Sequence, residues 1–270
     1  MRKVTMLLLL FVFFAKLNFA QTCGVAGKVI ALTNQNAVDN FAKKYAGCDH
    51  ILGTLYITGS VTNLKGLSDI KKIDGKFTIF KSTLTNLAGL ENLESVGDAL
   101  SIGSNESLKN FDALKSVKKV GGFLLINANP VLENIEGLKA IKNIGGYLQV
   151  TNNAKLVDLK GLNAVQGIGK YIHIVNNTLL ENLMSSNTLK SINGQIQIRS
   201  NPALKSLVGF NNLEEKTIKN LILRDNASLA FCNSEVICKY LAIASNKSII
   251  TNNAPNCNSR EMVVSLCATK

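Results

Sequence analysis

Apolar and polar positions along this chain follow two rhythms in turn. From Phe123 to Ile126 the residues are all apolar, with Leu124 and Ile126 predicted to face one way and Phe123 and Leu125 the other. A period of two is that of a β-strand. Beyond Asn129 the rhythm changes, and Leu132, Ile135, Leu138, Ile141 and Ile144 recur at every third position. A period of three belongs to neither an α-helix nor a strand. It describes a chain that turns around a core and touches it once in three residues.

The pair of rhythms repeats. Asn105, Asn129, Asn153, Asn177, Asn201 and Asn226 are 24, 24, 24, 24 and 25 residues apart, and Leu108, Leu132, Leu156, Leu180, Leu204 and Leu229 keep these intervals three residues later. Copies starting at Asp98, Gly122 and Gly146 are the clearest. Shorter ones start at Gly53 and Gly75, others at Lys170, Gly194 and Lys219, and a last strand is expected at Ser248 to Thr251. One such unit cannot bury its own apolar face, so the units must stack into a mainly β, parallel β-solenoid with one continuous core. Nine strands about 4.8 Å apart predict a rod on the order of 40 Å long. The asparagines are expected to bond unpaired backbone at a corner and the asparagine of the next coil. The Gly-Gly pairs at 121–122 and 145–146 are expected to turn the chain back into the strand with positive φ.

A stack of coils has two open ends, and the cysteines lie there. Cys23 and Cys48 flank a segment of helical character, Asn36 to Tyr45, starting at a Thr33 or Asn34 cap, and these two are expected to pair. Cys232, Cys238, Cys257 and Cys267 surround a second expected helix, Ser234 to Ala244, and the last strand. Four cysteines allow three connectivities, which the sequence leaves open, with Cys232–Cys257 and Cys238–Cys267 preferred. Residues 1–20, with Arg2 and Lys3 before the apolar run Met6 to Phe14, have the pattern of a cleaved secretory signal. The expected organisation is a signal over 1–20, an N-terminal cap over 21–52, repeats over 53–231 and a C-terminal disulfide cap over 232–270, with 21–270 forming one domain. No other stretch is apolar enough to span a bilayer, and the compartment is extracellular or at the cell surface, the periplasm being the bacterial alternative.

Composition changes this picture little. Hydrophobic residues are 46% and charged ones 18%, which excludes a disordered polyelectrolyte. The formal charge is +12; the leader holds three basic residues and no acid, leaving +9. Many lysines, such as Lys109, Lys115, Lys118, Lys119, Lys139 and Lys142, fall in the loop half of each unit without an aromatic–basic stacking pattern. No nucleic-acid partner is therefore expected, while anionic partners such as acidic polysaccharide are favoured. His50 is read as a surface or capping residue and His173 as an outward strand residue; with two histidines, a three-histidine zinc site is excluded. No nucleophile can be tied to either and no carboxylate pair recurs, so neither an enzyme, a cofactor nor a metal is expected. Asn105, Asn176, Asn226 and Asn246 begin glycosylation sequons, two of them in the buried ladder.

The candidate site is the outward strand face. It brings together Phe123, Leu125, Tyr147, Gln149, Tyr171, His173, Gln197 and Arg199, with Phe123, Tyr147 and Tyr171 at one register as an aromatic row. Such a row beside amides and an arginine suits recognition of an extracellular protein or glycan; the competing reading is that the rings only stabilise the sheet.

Cys23, the short helix, Cys48, the segment HILGTLYITG and the coils of about 24 residues resemble the receptor L-domain family, and the tail from Cys232 to Cys267 is most similar to its Bacteroidetes members. The resemblance covers Cys23 to Cys267. It implies a right-handed, leucine-rich-repeat-like solenoid with helical caps held by disulfides. It implies a secreted or surface-exposed binding protein only by analogy, because fold does not determine function.

Overall fold

The computed structural model describes residues 21–184 and 188–268; the expected signal, residues 1–20, lies outside them. The chain winds as a parallel β-solenoid with two sheets. Ten strands form the long sheet in sequence order, from Val29–Asn34 through Leu124–Asn127, Leu148–Thr151 and Ile172–Val175 to Ser248–Thr251. Each strand pairs in parallel with that of the next coil, for example Leu124 with Leu148 and Leu148 with Ile172. The sequence pointed to nine of these strands; the tenth, Val29–Asn34, lies inside the N-terminal cap. Eight shorter strands form a second sheet that the sequence did not announce, including Lys119–Val120 and Asn143–Ile144.

The three-residue rhythm has a structural cause. Leu132, Ile135, Leu138, Ile141 and Ile144 are all buried in one core cluster that runs from Leu32 to Val263. Between them lies the 3-10 helix Glu136–Leu138, and equivalents recur at Asp112–Leu114, Lys160–Leu162 and Val208–Phe210. A 3-10 helix has three residues per turn, so every third side chain returns to the same face.

The asparagines do what their spacing predicts. Asn153 lies fully buried, and its Nδ2 donates to Ile126 O of the preceding coil at 3.0 Å, to Thr151 O of its own coil at 3.0 Å and to Asn177 Oδ1 of the following coil at 3.3 Å. Its Oδ1 accepts from Asn129 N at 3.1 Å and Asn129 Nδ2 at 3.2 Å. From Asn105 to Asn226 each Nδ2 donates to the preceding strand carbonyl and to the next asparagine, and those of Asn177 and Asn201 also to their own coil. Ser82 begins the ladder by donating to Asn105 Oδ1, and Asn253 ends it by donating to Leu223 O and Cys257 O.

The glycine pairs require a correction. Positive φ lies not at 121–122 and 145–146 but at the residue before each ladder asparagine: Ser104 at 54°, Ala128 at 54°, Asn152 at 58°, Asn176 at 58°, Ser200 at 57° and Asp225 at 58°. The glycines serve close approach instead. A Cβ on Gly145 would collide with the carbonyl oxygen of Gly121 one coil back, and one on Gly121 with that of Gly97.

Helices and disulfides close both ends. The N-terminal helix is two short pieces, Gln35–Asp39 and Phe41–Lys44, with Asn34 Oδ1 accepting from Ala37 N at 2.9 Å. At the other end lies Glu235–Ala242, capped by Ser234, and a further helix, Arg260–Cys267, that the sequence reading did not include. The Arg260 guanidinium donates to Leu241 O, Ile243 O and Asn246 O, tying this last helix to the one before it. The disulfides are Cys23–Cys48, Cys232–Cys257 and Cys238–Cys267, the preferred connectivity.

Two substitutions test these roles. Asn153→Ala leaves buried donors and acceptors of three coils unpaired, and urea unfolding should show a loss of roughly 3 kcal/mol or more. Ala128→Gly relieves a left-handed backbone on a residue with a Cβ, and should raise stability by up to about 1 kcal/mol, read as a higher Tm.

Candidate functional site

Side chains at alternate positions of the long sheet point away from the core and fall into rows, because parallel pairing keeps one register from coil to coil. Phe123, Tyr147 and Tyr171 occupy one row. Their ring centroids are 4.6 Å apart at each step, and the planes are inclined by only 2° and 5°. That separation is close to the strand spacing, so the sheet itself sets the stacking. One consequence was invisible in the sequence: the ring faces cover each other. Of the rings' faces only the outer ones of Phe123 and Tyr171 have no ring of the column against them.

The adjacent row carries Leu125, Gln149, His173 and Gln197, each directly paired with the next. Arg199 lies in a third row, opposite Val175, and is exposed, whereas the other seven predicted residues are half-buried. The eight candidates thus share one sheet face over four coils. His173 closes the aromatic column from the side, its ring 4.3 Å from that of Tyr171 and tilted by 29°. Burial holds the His173 imidazolium below its ordinary pKa, and the neutral ring can accept at Nε2 from Gln195 Nε2, 3.3 Å away. Gln195 Nε2 also donates to Gln197 Oε1 at 3.0 Å, and Gln195 Oε1 accepts from Asn220 Nδ2 at 3.3 Å. Burial first, then the neighbouring Tyr171 and Asp98, push the Tyr147 phenol up, so it remains a hydrogen-bond donor at neutral pH.

Three contributors were not among the predicted site residues. Gln195 and Asn220 join the amide network just described. Lys76 reaches over Phe123 with Nζ 6.0 Å from the ring centroid, at the outer limit of a cation–π contact. It lies two strand steps away, and the intervening Ala99 is too small to separate them. Lys76 holds the same strand position as Phe123 in the copy beginning at Gly75, which was the available signal.

His50 lies elsewhere, on the short sheet. Its Nε2 is 2.9 Å from Asp74 Oδ2, and Lys72 Nζ is 2.8 Å from Asp74 Oδ1. The Lys72 hydrogen bond, chiefly, holds the Asp74 carboxyl below its usual range. His50 and Lys72 line a shallow cavity of about 250 Å³ with Asp49, Lys71, Glu94 and Ser95. Among the described residues, no group of three or more His, Cys, Asp or Glu side chains is placed to hold a metal ion. No helix among them is long and apolar enough to cross a membrane.

The His173 environment gives a pH prediction. Its folded pKa is lowered from 6.5, so the unfolded chain binds the proton more readily. The associated stability is fully present above about pH 6.5 and is lost as pH falls through the folded value. The imidazole NMR signals of His173 should titrate below those of a model histidine, and His173→Gln should flatten the acid side of the Tm–pH curve. Compared with family models, with curated proteins and with solved structures, the chain shows no match.

Proposed function

We propose that this is a secreted or surface-exposed binding protein of the receptor L-domain type that acts without catalysis through the outward face of its long sheet. The observation that carries the reading is the character of that face. Over four consecutive coils it offers a column of aromatic edges, Leu125, a connected amide network and Arg199 in fixed register, where a purely structural solenoid needs only polar residues that keep the sheet soluble. Three disulfides in the two caps support an oxidising compartment.

The geometry favours one mode of recognition over another. A sugar ring stacks on an aromatic face, and here the faces between neighbouring rings are paired, while Lys76 lies over Phe123 and His173 against Tyr171. Ring edges, phenol hydroxyls, amides and an arginine on a flat surface suit a protein partner, with a glycan held by hydrogen bonds as the second form of the same reading. Gln149→Glu with Arg199→Glu changes the face without touching the core. Proteins or glycans captured by the mature chain should be lost with this variant while its Tm stays within about 2 °C of the parent, as for a surface change. Equal capture by both forms would leave the face without a binding role.

A further inference from the structure

A second face is marked by charge. On the short-sheet side, two consecutive coils place Lys115, Lys118, Lys119, Lys139 and Lys142 together. Lys119 pairs with Asn143, which sets Lys118 opposite Lys142 at one strand step. Lys115 and Lys139 each end the 3-10 helix of their coil. All five are exposed. Among the described residues only Lys118 has an acidic partner, Glu94 of the preceding coil at 3.3 Å.

The rest of the surface is arranged differently. Backbone bonds align Lys109 with Glu133 and Glu181 with Lys205, and Lys205 Nζ lies 2.6 Å from Glu181. At the N-terminal end of the short sheet, Lys71 is paired with Asp49 and Lys72 with Asp74. Like charges on directly opposed strand positions are destabilising, so the lysine cluster works against the fold. The fold does not demand it either. In the next coil the positions of Lys139, Lys142 and Asn143 hold Asn163, Gln166 and Gly167, which are uncharged.

We propose that this cluster binds an acidic linear polysaccharide carrying a carboxylate or sulfate on successive sugars. Lysine ammonium groups are point charges that suit single anionic groups, and the cluster contains no arginine fork. A strand step is close to the length of one sugar residue, so successive anions on the polymer can meet successive coils. Gln166, exposed, extends the same face with an amide for sugar hydroxyls. No aromatic side chain belongs to the cluster, so bases of a nucleic acid would find no stacking platform. This site is independent of the long-sheet face, and either can fail without the other.

The test uses the mature chain, residues 21–270, titrated with sodium polygalacturonate, with dextran as the neutral polymer and duplex DNA as the competing polyanion. Lys118→Gln with Lys119→Gln and Lys142→Gln should weaken polygalacturonate binding by about tenfold or more, with a shallower salt dependence. Lys43→Gln with Lys155→Gln and Lys219→Gln removes the same charge from other places, and should change affinity less than about twofold. A second variant, Lys115→Gln with Lys139→Gln, should show an intermediate loss and guards against misfolding of the first. Absence of binding by the parent chain, equal losses in cluster and control variants, or DNA binding as tight as that of polygalacturonate would overturn the proposal.

Discussion

The fold depends on a single constraint: the chain must reverse at a buried corner in every coil without leaving backbone groups unpaired. From Asn105 to Asn253 the ladder asparagine meets it, with Ser82 at the start. One side chain bonds a strand carbonyl of the coil before, a carbonyl of its own coil and the asparagine of the coil after. An unpaired buried amide would cost more than a satisfied one gains, so the ladder holds only if every rung is present and in register. That requirement keeps successive corners stacked in one register, with 24 residues between most rungs, 25 from Asn201 to Asn226 and 27 from Asn226 to Asn253. At the far end Asn253 donates to Cys257 O, so the ladder runs directly into the disulfide cap.

Everything on the surface inherits this spacing. A row of side chains on the long sheet becomes a column with a fixed step, which is why three aromatic rings stack nearly parallel at 4.6 Å. On the short sheet the same step sets lysines opposite one another. The core positions are bound to the repeat, whereas outward positions change from coil to coil, from Ser101 to Leu125, Gln149 and His173 along one row. Specific chemistry can therefore be placed on either sheet at little expense to the interior.

How much of this was legible depended on whether a signal had length. The long strands, the buried every-third residues and the asparagine ladder repeat many times, so their periods stand out. Most short-sheet strands, such as Lys119–Val120, are two residues long, too short to show an alternation. Val29–Asn34 has no ladder asparagine after it, and its place beside Thr54–Ser60 emerges only from the pairing. The Gly121 and Gly145 pairs could signal positive φ or close approach, and only the position of the neighbouring coil decides between them. Arg260–Cys267 is as long as Glu235–Ala242 but buries Val263 where the other buries Val236, Ile237, Tyr240 and Leu241, so it carries little apolar periodicity, although Ser259 at its start is an ordinary cap. For the site, the register of Phe123, Tyr147 and Tyr171 could be read from spacing. The burial of their ring faces could not, because it depends on side-chain rotamers, and neither could the reach of Lys76 across Ala99.

Hydrogen exchange at the ladder tests the central claim most directly. The backbone amides of Asn129, Asn153, Asn177 and Asn201 donate to side chains rather than to sheet partners. If the ladder sets the spacing of the coils, these amides should exchange only through global unfolding, as slowly as the central strand amides. Fast, independent exchange at those four positions, with the strands still protected, would show that the sheets hold the coils together without the asparagines and would contradict the account.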